Sequence, residues 1–297
     1  MSLREPVPVP APGREELLAA VHHLGARRPV AARVVALAAD EATGARELSR
    51  VLAADVALAA RVVALANSAS YGLPGRVRTV AFAVTTVGAD AVRALAAAAV
   101  AGLDGGEGVP DDFWPRCRLT ATACGELAGT FGLPGAEAFC LGLLSALGQA
   151  VLWQQDRAGY AALVEDDDVR GRGRAALAVA EVDRYGVRHS ELSAVAVAAF
   201  GFPRELADAL AALDDPALDG PALDGSALDG SALDGSAPAA PTAWAACLRT
   251  AVEVSQRLAT PDEQRADLAA LSGGVVTEAD SAGLEVRVTE ALAESTW

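Results

Sequence analysis

From residue 17 to residue 213 the apolar side chains return at helical spacing, and a glycine, a proline or a capping residue stands wherever that spacing breaks. Leu17, Val21 and Leu24 repeat at i, i+4 and i+7, as do Val30, Val34 and Leu37 behind Pro29, a residue suited to a first helical turn. Leu48, Val51 and Leu52 mark a third helix. Asp55 is placed to cap a fourth, whose inward stripe is Leu58, Val62, Leu65 and Ala66. Thr79 would cap a helix carrying Val80, Val84 and Val87. Gly88 would end it, and Asp90 would begin the next, with Val92, Leu95 and Ala99 inward.

The glycine-rich, acidic stretch Gly102–Pro110 reads as the boundary between two helical halves. Beyond it, Asp112 would cap a helix with Pro115 in its first turn and Leu119, Ala123, Leu127 and Phe131 on one face. Gly132 and Pro134-Gly135 would stop it. Ala138–Trp153 is apolar nearly all round and reads as one central buried helix. Asp166–Asp168 followed by Arg170-Gly171-Arg172-Gly173-Arg174 reads as a charged, self-neutralising loop rather than a phosphate grip. Leu177, Ala180 and Tyr185 continue as helix to Gly186. Ser190 would cap another carrying Leu192, Val195, Ala196, Ala199 and Phe200, closed by Gly201 and Pro203, after which Leu206, Leu210 and Leu213 follow. Helices resume from Trp244 to Leu258 and again from about Thr277. No strand ladder emerges, so the expected fold is all-α.

Residues 1–12 alternate Pro and Val and read as an extended leader. The expected halves are 13–101 and 110–215. A linker over 216–240 repeats Pro216-Ala217-Leu218-Asp219-Gly220 as Pro221–Gly225, Ser226–Gly230 and Ser231–Gly235, and residues 241–297 would pack on the second half. A five-residue period with one Asp and one Gly is too short for a solenoid coil and too sparse for Ca²⁺-binding repeats.

Composition narrows the partners. The net charge is −15, and all 24 basic residues are Arg, so nucleic acid is not an expected partner. Aromatics are only 4% of the chain, and Ala and Val fill the core instead. Cys117, Cys124, Cys140 and Cys247 form no C-x-x-C pair; Cys117 and Cys124, seven apart, read as small core residues. The N-terminus lacks an apolar signal core, and the uncharged stretch near Ala94–Leu103 is too short to span a bilayer. A cytoplasmic protein without a membrane partner is expected.

One segment is more specific. Asp55–Gly72 reads DVALAARVVALANSASYG, with Asn67, Ser68, Ala69, Tyr71 and Gly72 forming an Asn-Ser-Ala-x-Tyr-Gly signature. Val80–Gly88, Phe113-Trp114, Ala138–Leu152 and Glu181–Pro203 follow in order. Together these segments resemble the HDOD family, the HD-related output domains of bacterial signalling proteins, over roughly residues 14–215. The resemblance implies a multi-helix HDOD-like fold, an N-terminal helical bundle plus an HD-like helical half. The residues support a local account as well. Asn67 and Ser68 would terminate an apolar helix by bonding nearby backbone, and Tyr71 would lay its ring on the core. Ligand contact is the second reading of Asn67.

HD phosphohydrolases hold metal through spaced His and Asp residues, and the metal activates water for attack on phosphate. The resemblance places the His-Asp doublet after Gly142-Leu143-Leu144, where this chain has Ser145-Ala146. The preceding ligand helix, Phe113 to Ala123, contains no His, and the distal Asp position falls on Ser255. The three histidines are His22, His23 and His189. His22 and His23 point about 100° apart on a helix and cannot easily share an ion. His189 follows Gly186 at the family's Gly-x-x-His spacing and reads first as a capping or packing residue. With no Lys there is no phosphate-binding Gly-x-x-x-x-Gly-Lys loop.

The resulting expectation is a non-catalytic signalling module without catalytic residues, metal or cofactor. It would bind a signalling protein partner or a small regulatory ligand through a vestigial HD pocket around Arg116, Ser145, Ala146 and Ser255. Asn67, Ser68, Tyr71 and His189 are further candidate contacts; the oligomeric state is left open. The alternative is a residual phosphohydrolase using Asp111, Asp112 or Glu126. The repeat yields a prediction of its own: deleting Pro216–Gly235 leaves the melting temperature nearly unchanged, since shortening a flexible connection costs little. A large drop in a thermal melt would mean that the repeat packs on the body.

Overall fold

The computed structural model describes residues 11–24, 28–68, 71–73, 76–103, 109–215, 242–260 and 266–293, and among these every regular element is helical. Most of the Pro-Val leader and the whole pentapeptide repeat lie outside the described residues.

The N-terminal half follows the periodicity. α1 spans Arg14–His22, α2 Pro29–Ala38, α3 Ala45–Leu52 and α4 Val56–Ala66. The Asp55 carboxylate caps α4 by accepting the Leu58 N–H at 3.0 Å. Thr79 caps α5, Val80–Val100, through the Phe82 N–H at 3.2 Å. Gly88 breaks α5 where expected, at φ 84° and ψ 166°, a conformation open only to glycine. The second part of α5 is a run of small buried residues, Ala94 to Ala99, each 1% exposed or less. It packs on α2, α3 and α4, and on α7 (Gly135–Leu144) of the second half. Arg93 pins the two halves further: it donates to the Gly201 carbonyl at 2.9 Å and lies 4.1 Å over the Phe202 ring.

The second half begins with α6, Phe113–Ala128. Asp112 precedes it but makes no side-chain cap; its carboxylate lies 3.5 Å from the Arg116 guanidinium instead. Ala138–Trp153 is not one helix. α7 ends at Leu144 and α8 runs over Leu147–Gln155, with Ser145-Ala146 as a turn between them. The cause lies far away in sequence. The Ser193 hydroxyl accepts the Gly148 N–H at 2.8 Å and donates to the Ser145 carbonyl at 2.8 Å, so it satisfies backbone groups at the break.

The charged stretch after α9 (Arg157–Glu165) is likewise helical rather than a loop. Asp166 caps the single turn α10, Asp167–Gly171, by accepting the Asp168 and Val169 N–H groups. α11 then spans Gly173–Tyr185, α12 His189–Ala199 and α13 Arg204–Ala211. His189, not Ser190, opens α12, with Arg188 as its N-cap. α14 covers Ala243–Ala259, α15 Leu268–Ser272 and α16 Glu278–Ala293; the short α15 has too few apolar positions to show a period. α6 packs on α7, α14 and α16, α8 on α12, and α1 reaches across to α8 and α12.

Two segments, Val80–Val100 and Gly135–Gln155, are long and apolar enough to cross a membrane, contrary to the ten-residue stretch the sequence suggested. Each is interrupted, and 56% and 67% of their apolar windows lie inside the fold. All four cysteines are buried and free.

Close helix approach depends on two glycines. A Cβ on Gly142 would sit 2.7 Å from the Thr120 carbonyl oxygen of α6, and one on Gly148 would overlap the His189 carbonyl of α12. Both obstacles are backbone and cannot rotate away. Gly148→Ala is therefore expected to lower unfolding stability by at least about 2 kcal/mol in urea titration. A change within error would show that α8 and α12 can separate freely.

Candidate functional site

Between α6, the α7–α8 turn and α14 on one side, and α9 to α12 on the other, lies a groove of about 950 Å³. Its lining holds Ser145, Ala146 and Ser255, which the resemblance put at metal-ligand positions, with Thr120 of α6 beside them. Thr120 on α6 donates its hydroxyl to the Ser255 hydroxyl of α14 at 3.0 Å, and Ser255 donates to the Val252 carbonyl at 2.8 Å. Ser145 donates to the Gly142 carbonyl at 2.8 Å, and Ala146 stands beside it on the wall. These hydroxyls are neutral and already committed to the helices that carry them.

A second cluster lies behind this floor. Glu181 on α11, 0% exposed, accepts the Tyr160 hydroxyl at 2.7 Å and the His189 N–H at 2.8 Å. His189 Nδ1 lies 2.9 and 2.8 Å from its two carboxylate oxygens. On the other side of the ring, Nε2 is 3.7 Å from Asp214 and 3.3 Å from the Arg174 guanidinium, and Arg174 pairs with Asp214. Burial alone would lower the His189 pKa, but the Glu181 and Asp214 carboxylates outweigh it and raise the value above the usual one. Burial would raise Asp214, yet Arg174 and His189 hold it down at about 2. Burial first, and then Glu181, push the Tyr160 phenol well above its ordinary range.

Arg116, Ser145, His189 and Ser255 thus come together on one groove. Asn67, Ser68 and Tyr71 do not. Asn67 clamps a turn in the N-terminal half: its amide donates to the carbonyls of Val63 at 2.9 Å and Val77 at 2.8 Å, and its oxygen accepts the Val77 N–H at 2.9 Å. Ser68 is buried beside it, and Tyr71 packs half-buried on the core with its phenol pKa raised by burial. Sequence reasoning missed Tyr160, Arg174, Glu181 and Asp214. For Glu181 a signal existed, because it falls on the buried stripe Ala178, Glu181, Tyr185 of α11 at i, i+3 and i+7.

A divalent ion does not fit the floor. Its donors are hydroxyls turned toward backbone carbonyls, which supply neither the charge nor the imidazole nitrogens such an ion needs. Among the described residues no three His, Cys, Asp or Glu side chains are arranged to hold a metal. The alternative ligands are not brought together either. Asp112 lines the groove mouth, whereas Glu126 lies fourteen residues, about 21 Å, further along α6 and faces Arg287 at 4.0 Å.

This architecture is an all-helical, multi-helix fold that solved structures share. A "Putative phosphohydrolase" from Shewanella amazonensis SB2B shares the fold at TM-score 0.63 and 24% identity, over 94% of this chain and 95% of its own. A "Putative signal transduction protein" from Marinobacter aquaeolei VT8 matches at 0.60 and 21% identity, over 90% of this chain and 56% of its own. An HDOD domain protein from Geobacter sulfurreducens matches at 0.55 and 16% identity, over 93% and 98%. No curated protein matches the sequence. The HDOD domain family profile matches residues 24–216, and the chain belongs to that family.

The buried pair makes stability depend on pH with a definite sign. His189 has a folded pKa raised above 6.5, so its contribution is fully present below 6.5 and is lost as pH rises through the folded value. Asp214, lowered from 3.8 to about 2, contributes above 3.8 and is lost as pH falls toward 2. Urea midpoints measured from about pH 5 to 9 should fall on the alkaline side, and His189→Gln should flatten that fall. An unaltered slope in the variant would remove His189 from the account.

Proposed function

We propose that this chain is a non-catalytic regulatory module of bacterial signal transduction, which binds a small regulatory ligand or a signalling partner in the groove between α6, α14 and α9–α12. One observation supports the reading: where the resemblance puts the distal metal ligand stands Ser255, a neutral hydroxyl that accepts the Thr120 hydroxyl at 3.0 Å. Water at neutral pH is a poor nucleophile unless a metal or a base lowers its pKa. The polar atoms of His189 and Glu181 are engaged with each other, with Tyr160 and with Arg174, and the two residues are 2% and 0% exposed. The groove is nonetheless of ligand size, with an apolar lining and a few polar groups. Membership in the HDOD family, and the fold shared with the Marinobacter protein, agree with a signalling role.

The test is direct. Purified protein should carry no stoichiometric Mn, Fe or Zn by elemental analysis. It should also fail to hydrolyse bis(p-nitrophenyl) phosphate with each metal added. Bound metal together with turnover, both lost in Thr120→Val/Ser255→Ala, would make the protein an enzyme after all.

A further inference from the structure

Arginine is concentrated in the groove of a strongly acidic protein. The whole chain has 24 Arg against 39 carboxylates, yet the groove lining has seven Arg against six. Several of those carboxylates are already engaged. Asp214 pairs with Arg174, Glu253 with Arg257, and Asp267 accepts the Ala269 N–H at 2.9 Å. Arg170 and Arg172, from the Arg-Gly-Arg-Gly-Arg stretch, line the same space as Arg188 at the start of α12 and Arg116 on α6, with Arg172 also donating to the Asp168 carbonyl at 3.1 Å and Arg116 lying 3.5 Å from Asp112. The helical reading of that stretch matters here: α10 and the first turn of α11 set its arginines along the groove edge instead of in a solvated loop.

The same groove has an apolar side. Val179 and Val182 on α11 line it while 62% and 40% exposed, large aliphatic surfaces without a covering helix. The planar guanidinium group pairs with oxyanions such as carboxylate or phosphate, and isolated valines prefer a hydrocarbon or ring. Few ligands satisfy both unless they combine a negative group with an apolar body.

We propose that the groove binds a small anionic molecule with an apolar body, its charge facing the arginine edge and its body lying on Val179 and Val182. This rests on the groove being the binding site, and goes further in naming the chemistry. A volume of about 950 Å³ suits a small molecule. Because neutral hydroxyls occupy the floor, recognition takes place on the arginine rim.

Two dyes with one carbon skeleton test it: 8-anilinonaphthalene-1-sulfonate, which is anionic, and N-phenyl-1-naphthylamine, which lacks the sulfonate. Titrated by fluorescence into the full chain, the sulfonate should bind at one site at least about tenfold more tightly, and more weakly in high salt. Arg170→Glu/Arg188→Glu, the first exposed and the second half-buried, should erase that preference and leave the neutral dye unchanged. Val182→Asp should weaken both dyes. Equal binding of the two dyes, untouched by charge reversal but lost in Val182→Asp, would overturn the anionic ligand and keep the groove as a binding site. Failure of both dyes to respond to any groove variant would take the groove reading down as well. Binding of an acidic peptide alone, with neither dye competing, would assign the arginines to a protein partner and overturn the small-molecule claim.

Discussion

The arrangement of the second half depends on the carboxylate of Glu181. A charge with no exposure is tolerated only when its lone pairs are filled, and Glu181 fills them from two other helices. Tyr160 comes from α9, while the backbone N–H and the ring of His189 come from the first residue of α12. Glu181 thus fixes where α12 begins, and the start of α12 places Ser193 one turn later against the α7–α8 break. Such a network adds little net stability over apolar packing. Its effect is on specificity, because any other arrangement of these helices would strand a buried charge.

The rest of the fold is held by close contact of small residues. Ala94–Ala99 and the glycines at 142 and 148 let helix axes approach until backbone meets backbone. Each Ala buries little area, but many tight contacts add up, and little side-chain entropy is lost in making them. A core of this kind is intolerant of added volume. Large side chains are reserved for the places where helices diverge, and Trp153, Tyr160 and Tyr185 form one such cluster behind the groove, with ring centroids 5.3 and 6.2 Å apart.

What could be read from the sequence was what is local. Asp55 and Thr79 cap their helices through an N–H three residues on, a distance that a motif spans. Gly88 and Gly186 stand where positive φ is required. The break at Ser145 could not be read in this way, since the hydroxyl that supports it comes from Ser193, 48 residues later. The segment after Asp166 looked like a loop because charge dominates its composition, although the Asp166 cap that starts a helix there is itself local. For the site, the family resemblance located Ser145 and Ser255, and periodicity could not. Glu181 figures in the sequence only as the start of the segment Glu181–Pro203; its register with Ala178 and Tyr185 marks it as buried.

The electrostatics of the groove follow from the same residues. A metal site gathers carboxylates and imidazoles whose mutual repulsion an ion must offset, so the empty site is under strain. Here the floor has hydroxyls already hydrogen-bonded, and the nearest carboxylates have partners in place: Glu181 has His189 and Tyr160, Asp214 has Arg174. Nothing on the floor requires a cation for the fold to be stable. Positive charge has collected instead at the rim, where water is available and long guanidinium arms can move without disturbing the packed helices beneath.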